Sequence, residues 1–201
     1  MSALARAGSR LWAAYSRSLD SRPILTKACT SFTGFVIGDT VAQYATEPKF
    51  DPWRTARFAT YGFTVHGPLC HYLYFWLDKV LVPGASVSAG TILKKIAYDQ
   101  LLFTPAGILV FYCCFKTLEG QPWAIPATVR EKFVPTLLAG YAIWPLAHVV
   151  NFRYVPNSHR VLYINVITVG WNVVLSKIAN SKPPTAVTKR AAKELKLEHD
   201  P

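Results

Sequence analysis

Ten polar or ionisable residues of this chain fall within long apolar runs: Lys27, Asp39, Gln43, His66, Lys95, Asp99, Gln100, His148, Asn165 and Asn172. A charged or amide side chain inside an apolar helix is costly, so it faces either a partner or a watery cavity. Gathered around such a cavity, these groups would do passive chemistry. They would replace part of a solute's hydration shell and set the charge preference of a path. Each also has a plainer reading. Lys27 could extend its ammonium toward the membrane surface, and Asp39 could cap or pair near a helix end. The Asn165/Asn172 stripe could simply hold helices together.

Catalysis has no matching pattern. The sequence has no G-x-S-x-G, no H-E-x-x-H and no paired cysteine ligands, so the chain is expected not to be an enzyme and to carry no metal or cofactor. Cys29, Cys70, Cys113 and Cys114 all sit in apolar runs and read as small buried hydrophobes. His66 and His71 are five apart, a spacing that a regular helix does not align.

Five apolar segments must position these groups: Ile24–Tyr44, Phe58–Leu81, Ile92–Leu118, Phe133–Asn151 and Val161–Ile178. A membrane-spanning helix needs about 20 mostly apolar residues, so the first four are long enough and the fifth is marginal. In the first, Lys27, Ser31, Gly34 and Gly38 recur at helical spacing. The Gly34/Gly38 pair allows close helix approach, whether to another part of the chain, a partner or a second copy. Gly67-Pro68, Pro105 and Trp144-Pro145 interrupt later segments, so the helices are expected to kink there and to pack on those small or rigid residues. Asp39 and Gln43 are four apart, as are Lys95 and Asp99, which could pair along one helix. Asn165, Thr168, Asn172 and Ser176 share a face. Val82–Gly90 reads as a turn, and Gln121–Lys132 reads as a loop with an interfacial turn.

A net charge of +11 could serve nucleic acid, but the apolar segments leave no soluble domain for that, so the basic residues flanking them read as contacts to lipid head groups. Residues 1–22 hold four arginines against Asp20 alone. That is the composition of a mitochondrial import segment, and equally of an amphipathic helix lying on lipid through Leu4, Leu11, Trp12, Tyr15 and Leu19. The organisation is therefore 1–22 as a basic N-terminal segment or interfacial helix, 23–180 as a transmembrane bundle, and 181–201 as a charged tail. The fold class is all-α: an integral membrane bundle of four to five kinked spans with an N-terminal amphipathic interfacial helix.

The order of these residues resembles a known family. The pattern runs Trp12-x-x-Tyr15-x-x-x-Leu19, Pro23, Thr26-Lys27 and Gly38-Asp39-x-x-x-Gln43. It continues with Asp51, Arg54, Arg57 and Gly67-Pro68-x-x-His71-x-x-Tyr74-x-x-Leu77-Asp78, then Lys95-x-x-x-Asp99-Gln100 and Pro105. It closes with Trp144-Pro145, Asn151-Phe152-x-x-Val155-Pro156, Arg160, Trp171 and Leu175-Ser176. From about Trp12 to Ser176 the chain is similar to the Mpv-seventeen and peroxisomal-membrane-protein (PMP-twenty-two) family of small integral membrane proteins. His148 stands where that family usually has Gln, and Tyr141 where Trp is common.

The resemblance implies an all-helical bundle described with four spans, in the mitochondrial inner membrane or, alternatively, the peroxisomal membrane. Against five segments here, it would make one of the last two interfacial. It also implies a non-selective or weakly selective channel for small solutes or metabolites, linked to mitochondrial homeostasis and stress response. The alternative is a structural or assembly protein acting through helix–helix contacts. Expected partners are membrane lipids, small solutes and a second copy of the chain, with no nucleic acid.

Overall fold

The computed structural model describes residues 3–83 and 88–180. The expected tail, 181–201, lies outside the described residues, as does part of the Val82–Gly90 turn. The described residues form helices joined by short turns, with no strand among them. We number the helices α1 (Ala3–Ser21), α2 (Pro23–Thr46), α3 (52–81), α4 (Ala89–Leu118), α5 (Ile125–Tyr154) and α6 (Arg160–Asn180).

The helix ends follow local chemistry. Pro23 and Pro52 open α2 and α3 from the first turn, where a missing N–H costs nothing. Asp51 caps α3 by accepting from the Trp53 and Arg54 amides at 2.9 and 3.1 Å. Ser88 caps α4 through the Thr91 amide at 3.2 Å. Gly120 ends α4 at φ +71°, the left-handed conformation that suits glycine, while the Gln121 amide closes back on the Lys116 carbonyl at 2.8 Å.

Two of the expected kinks are π-turns, at Gly62–His66 and Asp99–Phe103, and each ends just before a proline turn. The Gly67 amide bonds to the Gly62 carbonyl, five residues back, and the Thr104 amide to that of Asp99. A one-residue bulge of this kind lets a helix continue through a proline that cannot donate. Pro68 and Pro105 therefore begin the next helical stretch, while Pro145 lies inside α5 together with Pro135. Pro126 acts as a first-turn proline too. As a result α5 begins at Ile125, and the expected loop Gln121–Lys132 is mostly helix.

Helices α2 to α6 run alternately up and down and close into a ring. Antiparallel pairing shows in Gln43 with Asp51 and Lys27 with His71 between α2 and α3. Phe58 with Phe115 and Asp78 with Lys95 do the same for α3 and α4. Tyr112 with Thr136 and Asp99 with His148 join α4 to α5, and Trp144 with Trp171 joins α5 to α6. The ring closes where α6 returns parallel to α2, with Asn165 beside Ser31 and Ser176 beside Thr46. Two aromatic-rich cores fill the ring at different levels. One is Tyr74, Leu77, Ile92, Phe152, Val161 and Ile164; the other is Phe35, Phe58, Tyr61 and Phe115.

Glycines set the closest approaches. A Cβ on Gly67 would stand 2.6 Å from the Ala28 Cα, and one on Gly38 would stand 2.5 Å from the Asn172 amide nitrogen. The Gly34/Gly38 face is thus filled by α6 of the same chain, through Asn165 and Asn172, which leaves it closed to a partner or second copy.

Three helical stretches are long and apolar enough to cross a membrane: Ala89–Leu118, Pro122–Tyr154 and Asn157–Ile178. Their outer faces carry Leu93, Leu101, Leu138, Leu146 and Val166, all more exposed than buried. So continuous an apolar coat marks a lipid-facing surface. It also explains why Cys29 and Cys113 are exposed instead of buried: in a membrane protein an apolar run supplies the outside as well as the core.

Candidate functional site

The inner faces of α3 to α6, with Phe35 of α2, line a partly open chamber of about 180 Å³. Its polar lining comes from His66, Asp99, Thr104, Thr136, His148 and Thr168, and its apolar lining includes Phe103, Ile108, Phe111, Trp144 and Trp171. Gly107 leaves open space on the α4 wall. On one side the chamber ends on a chain of polar contacts. His148 Nε2 lies 3.0 Å from Asp99 Oδ2, and the Gln100 amide donates to the same carboxylate oxygen at 2.7 Å. The Asn151 amide nitrogen then reaches His148 Nδ1 at 3.5 Å and the Tyr74 hydroxyl at 3.4 Å.

A second cavity, of about 300 Å³, lies at the bundle end formed by the start of α3 and α5 and the close of α4 and α6. Arg54, Arg57, Lys116, Lys132 and Glu119 line this vestibule. Phe111 and Leu175 belong to both cavities. The partition between them is aromatic: Phe58 and Phe115 lie 4.3 Å apart by ring centroid, and Phe111 and Phe115 lie 4.6 Å apart. Beside these rings the Tyr112 hydroxyl, on the vestibule wall, meets Thr136 Oγ1, on the chamber wall, at 2.7 Å.

Only three of the ten candidates, His66, Asp99 and His148, line the chamber. The others serve packing or ion pairing. Asp39 is fully buried, with Arg54 Nε 2.9 Å from one carboxylate oxygen. Its other oxygen accepts from Gln43 at 2.7 Å and Thr55 at 2.6 Å. Gln43 also bridges to the Asp51 backbone, at 2.6 and 3.0 Å, and so ties α2 to the cap of α3. Lys27 meets His71 Nδ1 at 3.2 Å, and Ser31 meets His66 Nδ1 at 3.1 Å. The two histidines therefore face two α2 residues one turn apart. Gln100 is buried beside Asp99. Asn165 donates to Ser31 at 3.1 Å and also lines an outer groove between α1, α2 and α6; Asn172 is buried against Gly38.

Lys95 and Asp99 do not pair along α4. Lys95 Nζ reaches across to Asp78 Oδ1 at 2.7 Å, while Asp99 turns to His148. Asp78 also takes Arg160 Nη1 and the Asn157 amide, each at 2.8 Å. This part-buried carboxylate thus has a partner from α4, one from α6 and one from the turn between α5 and α6. Sequence spacing missed this hub, because each of its partners is at least 17 residues away. It also missed the vestibule, whose cations come from three different helices.

On α1, the Tyr15 hydroxyl contacts Thr30 at 3.0 Å, and Trp12 stacks on His159 with centroids 4.8 Å apart. Leu11 is largely exposed.

A model of the Mpv17 / PMP22 family matches residues 116–176. The chain is 37% identical to Protein sym-1 of Neurospora crassa over 167 residues, covering 81% of this chain and 95% of that one. It is 36% identical to PXMP2/4 family protein 3 of Dictyostelium discoideum over 171 residues, covering 84% and 90%. With Protein SYM1 of Saccharomyces cerevisiae the identity is 33% over 176 residues, covering 84% and 89%. No solved structure matches.

Proposed function

The chain belongs to the Mpv17 / PMP22 family of membrane proteins, and from that premise we propose that it provides a passive path for small solutes through the interior of its helix ring. The observation that carries this reading is that vestibule and chamber meet at Phe111 and Leu175. Two cavities in line inside one ring make a discontinuous conduit. It is shut on one side by the Phe58/Phe111/Phe115 partition and on the other by the Asp99–His148–Asn151–Tyr74 contacts. Apolar constrictions of this kind gate by excluding water.

In this reading all five ring helices cross the bilayer. Their strict alternation supports it, since the parallel return of α6 to α2 needs an even number of reversals between them. Helix α1 then lies on the lipid surface with Leu11 and Trp12 toward the apolar side. The location we propose is the mitochondrial inner membrane, supported by the basic, acid-poor N-terminal segment. In this reading the protein acts passively, without catalysis.

The test uses purified protein in liposomes loaded with solutes of graded size. Wild type should release the small solutes and retain the large ones. Gly107→Leu, which fills open space on the chamber wall, should lower release while leaving the helical content and melting temperature unchanged. No release from wild type for any solute would sink the proposal.

A further inference from the structure

We infer that the vestibule binds small soluble anions, carboxylates or phosphates, and so biases the path toward anionic solutes; this rests on the solute-path reading above. Four cationic side chains line the vestibule against one carboxylate, Glu119. Asp39 and Glu47 hold Arg54 at 2.9 and 3.2 Å, and Asp51 takes Arg57 Nη2 at 3.5 Å, yet none of these three acids lines the cavity. They fix the guanidinium groups in place while the cavity itself faces cations. Lys116 and Glu119 pair at 2.6 Å at the close of α4, both about a quarter exposed.

Arg57 points to an occupant. Its Nε is shielded from solvent and has no hydrogen-bond partner among the described residues. A buried donor left unmatched destabilises the fold, and an oxyanion in the vestibule would supply the missing acceptor. A planar guanidinium also matches carboxylate and phosphate geometry better than an ammonium does. The rest of the wall is suited to the same ligand. The rings of Phe58, Phe111 and Phe115 lower the local dielectric and focus the field of the cations. The Thr128 hydroxyl adds a donor on the same wall. Because the cavity continues inward to the chamber at Phe111 and Leu175, an anion held there sits on the path itself, and a lipid head group would block it.

The probe is malonate, titrated calorimetrically into the full chain in zwitterionic detergent. Wild type should bind it saturably, and uncharged malonamide should not bind. Arg57→Gln should weaken binding about tenfold, as expected for one lost charge-assisted contact, with Arg57→Gln/Lys132→Gln weaker still. Arg57→Lys keeps the charge but loses the planar fork, so its affinity should fall between wild type and Arg57→Gln. In planar bilayers under a salt gradient, the reversal potential of the double variant should shift toward cation preference. Equal malonate binding in wild type and variants, or none in wild type, overturns the anion site even if currents are seen. Binding that the variants lose, without any current from wild type, upholds the site and sinks the path reading instead. Displacement of malonate by anionic phospholipid would assign the site to a head group and overturn the solute assignment.

Discussion

The Tyr112 hydroxyl and Thr136 Oγ1 lie 2.7 Å apart where the vestibule wall meets the chamber wall, and their hydrogen bond ties α4 to α5 beside the aromatic partition. Both groups are buried. Tyr112→Phe keeps the ring and removes the tie, at a net stability cost of about 1 kcal/mol. Solute release from liposomes should rise, because α4 and α5 can then separate at the partition. Thr136→Val should act the same way, and the double variant should add little to either single one. Additive effects, or unchanged release in both, would remove the latch role.

Asp39 lines neither cavity, so its charge should not set solute preference. Asp39→Asn would remove the buried counter-charge of Arg54 and leave it Glu47 alone, at a cost of about 1–3 kcal/mol. The expected result is a clear drop in melting temperature in detergent with ion preference unchanged. A shifted reversal potential at unchanged stability would restore Asp39 to the path.

Gly67 and Gly107 should respond in opposite directions to the same substitution. A Cβ at 67 would press on the backbone of Ala28, and overpacking of this kind costs about 1–3 kcal/mol. A Cβ at 107 meets nothing within 4 Å. There the lost backbone freedom of the unfolded chain should leave Gly107→Ala neutral or up to about 1 kcal/mol more stable. Thermal unfolding of the two variants side by side decides it; equal melting temperatures would show that α2 and α3 can move apart freely.

His148 donates to a nearly buried carboxylate, and the family pattern usually has Gln at this position. His148→Gln should keep a donor for Asp99 and preserve stability. His148→Leu would leave Asp99 with Gln100 as its main donor and should cost about 1–3 kcal/mol or more, since the stranded group is charged. If both variants melt alike, the Asp99–His148 contact does not stabilise the closed ring.

Helix boundaries were legible only in part: the second segment was placed from Phe58 although α3 opens at Pro52, and the start of α5 was read as a loop. Pro23, Asp51-Pro52, Ser88 and Gly120 start or stop helices through chemistry that lies within a few residues. The Asn165, Thr168, Asn172 and Ser176 stripe faces inward, as its spacing implies. The Asp39–Gln43 hydrogen bond follows from a four-residue step on one helix. Lys95 with Asp99 fails by the same rule, because a better-placed carboxylate, Asp78, reaches Lys95 from the neighbouring helix. Position within an apolar run also said nothing about direction: Cys29 and Cys113 turn outward, whereas Trp144 and Trp171 turn into the chamber.

Helical periodicity is a local property, so the order of residues alone is enough to read a bundle of apolar helices with small, polar and proline residues on particular faces. That order also carried the family pattern. Which polar groups meet is settled by how the helices pack. Asp78 gathers Lys95, Asn157 and Arg160, Asp39 is neutralised by Arg54, and the chamber receives three of the ten groups that could have lined it. A charge held inside the bundle must find its counter-charge across a helix interface. Which faces meet there depends on how closely the glycines of α2 and α3 let their neighbours approach, and that is a property of the closed ring.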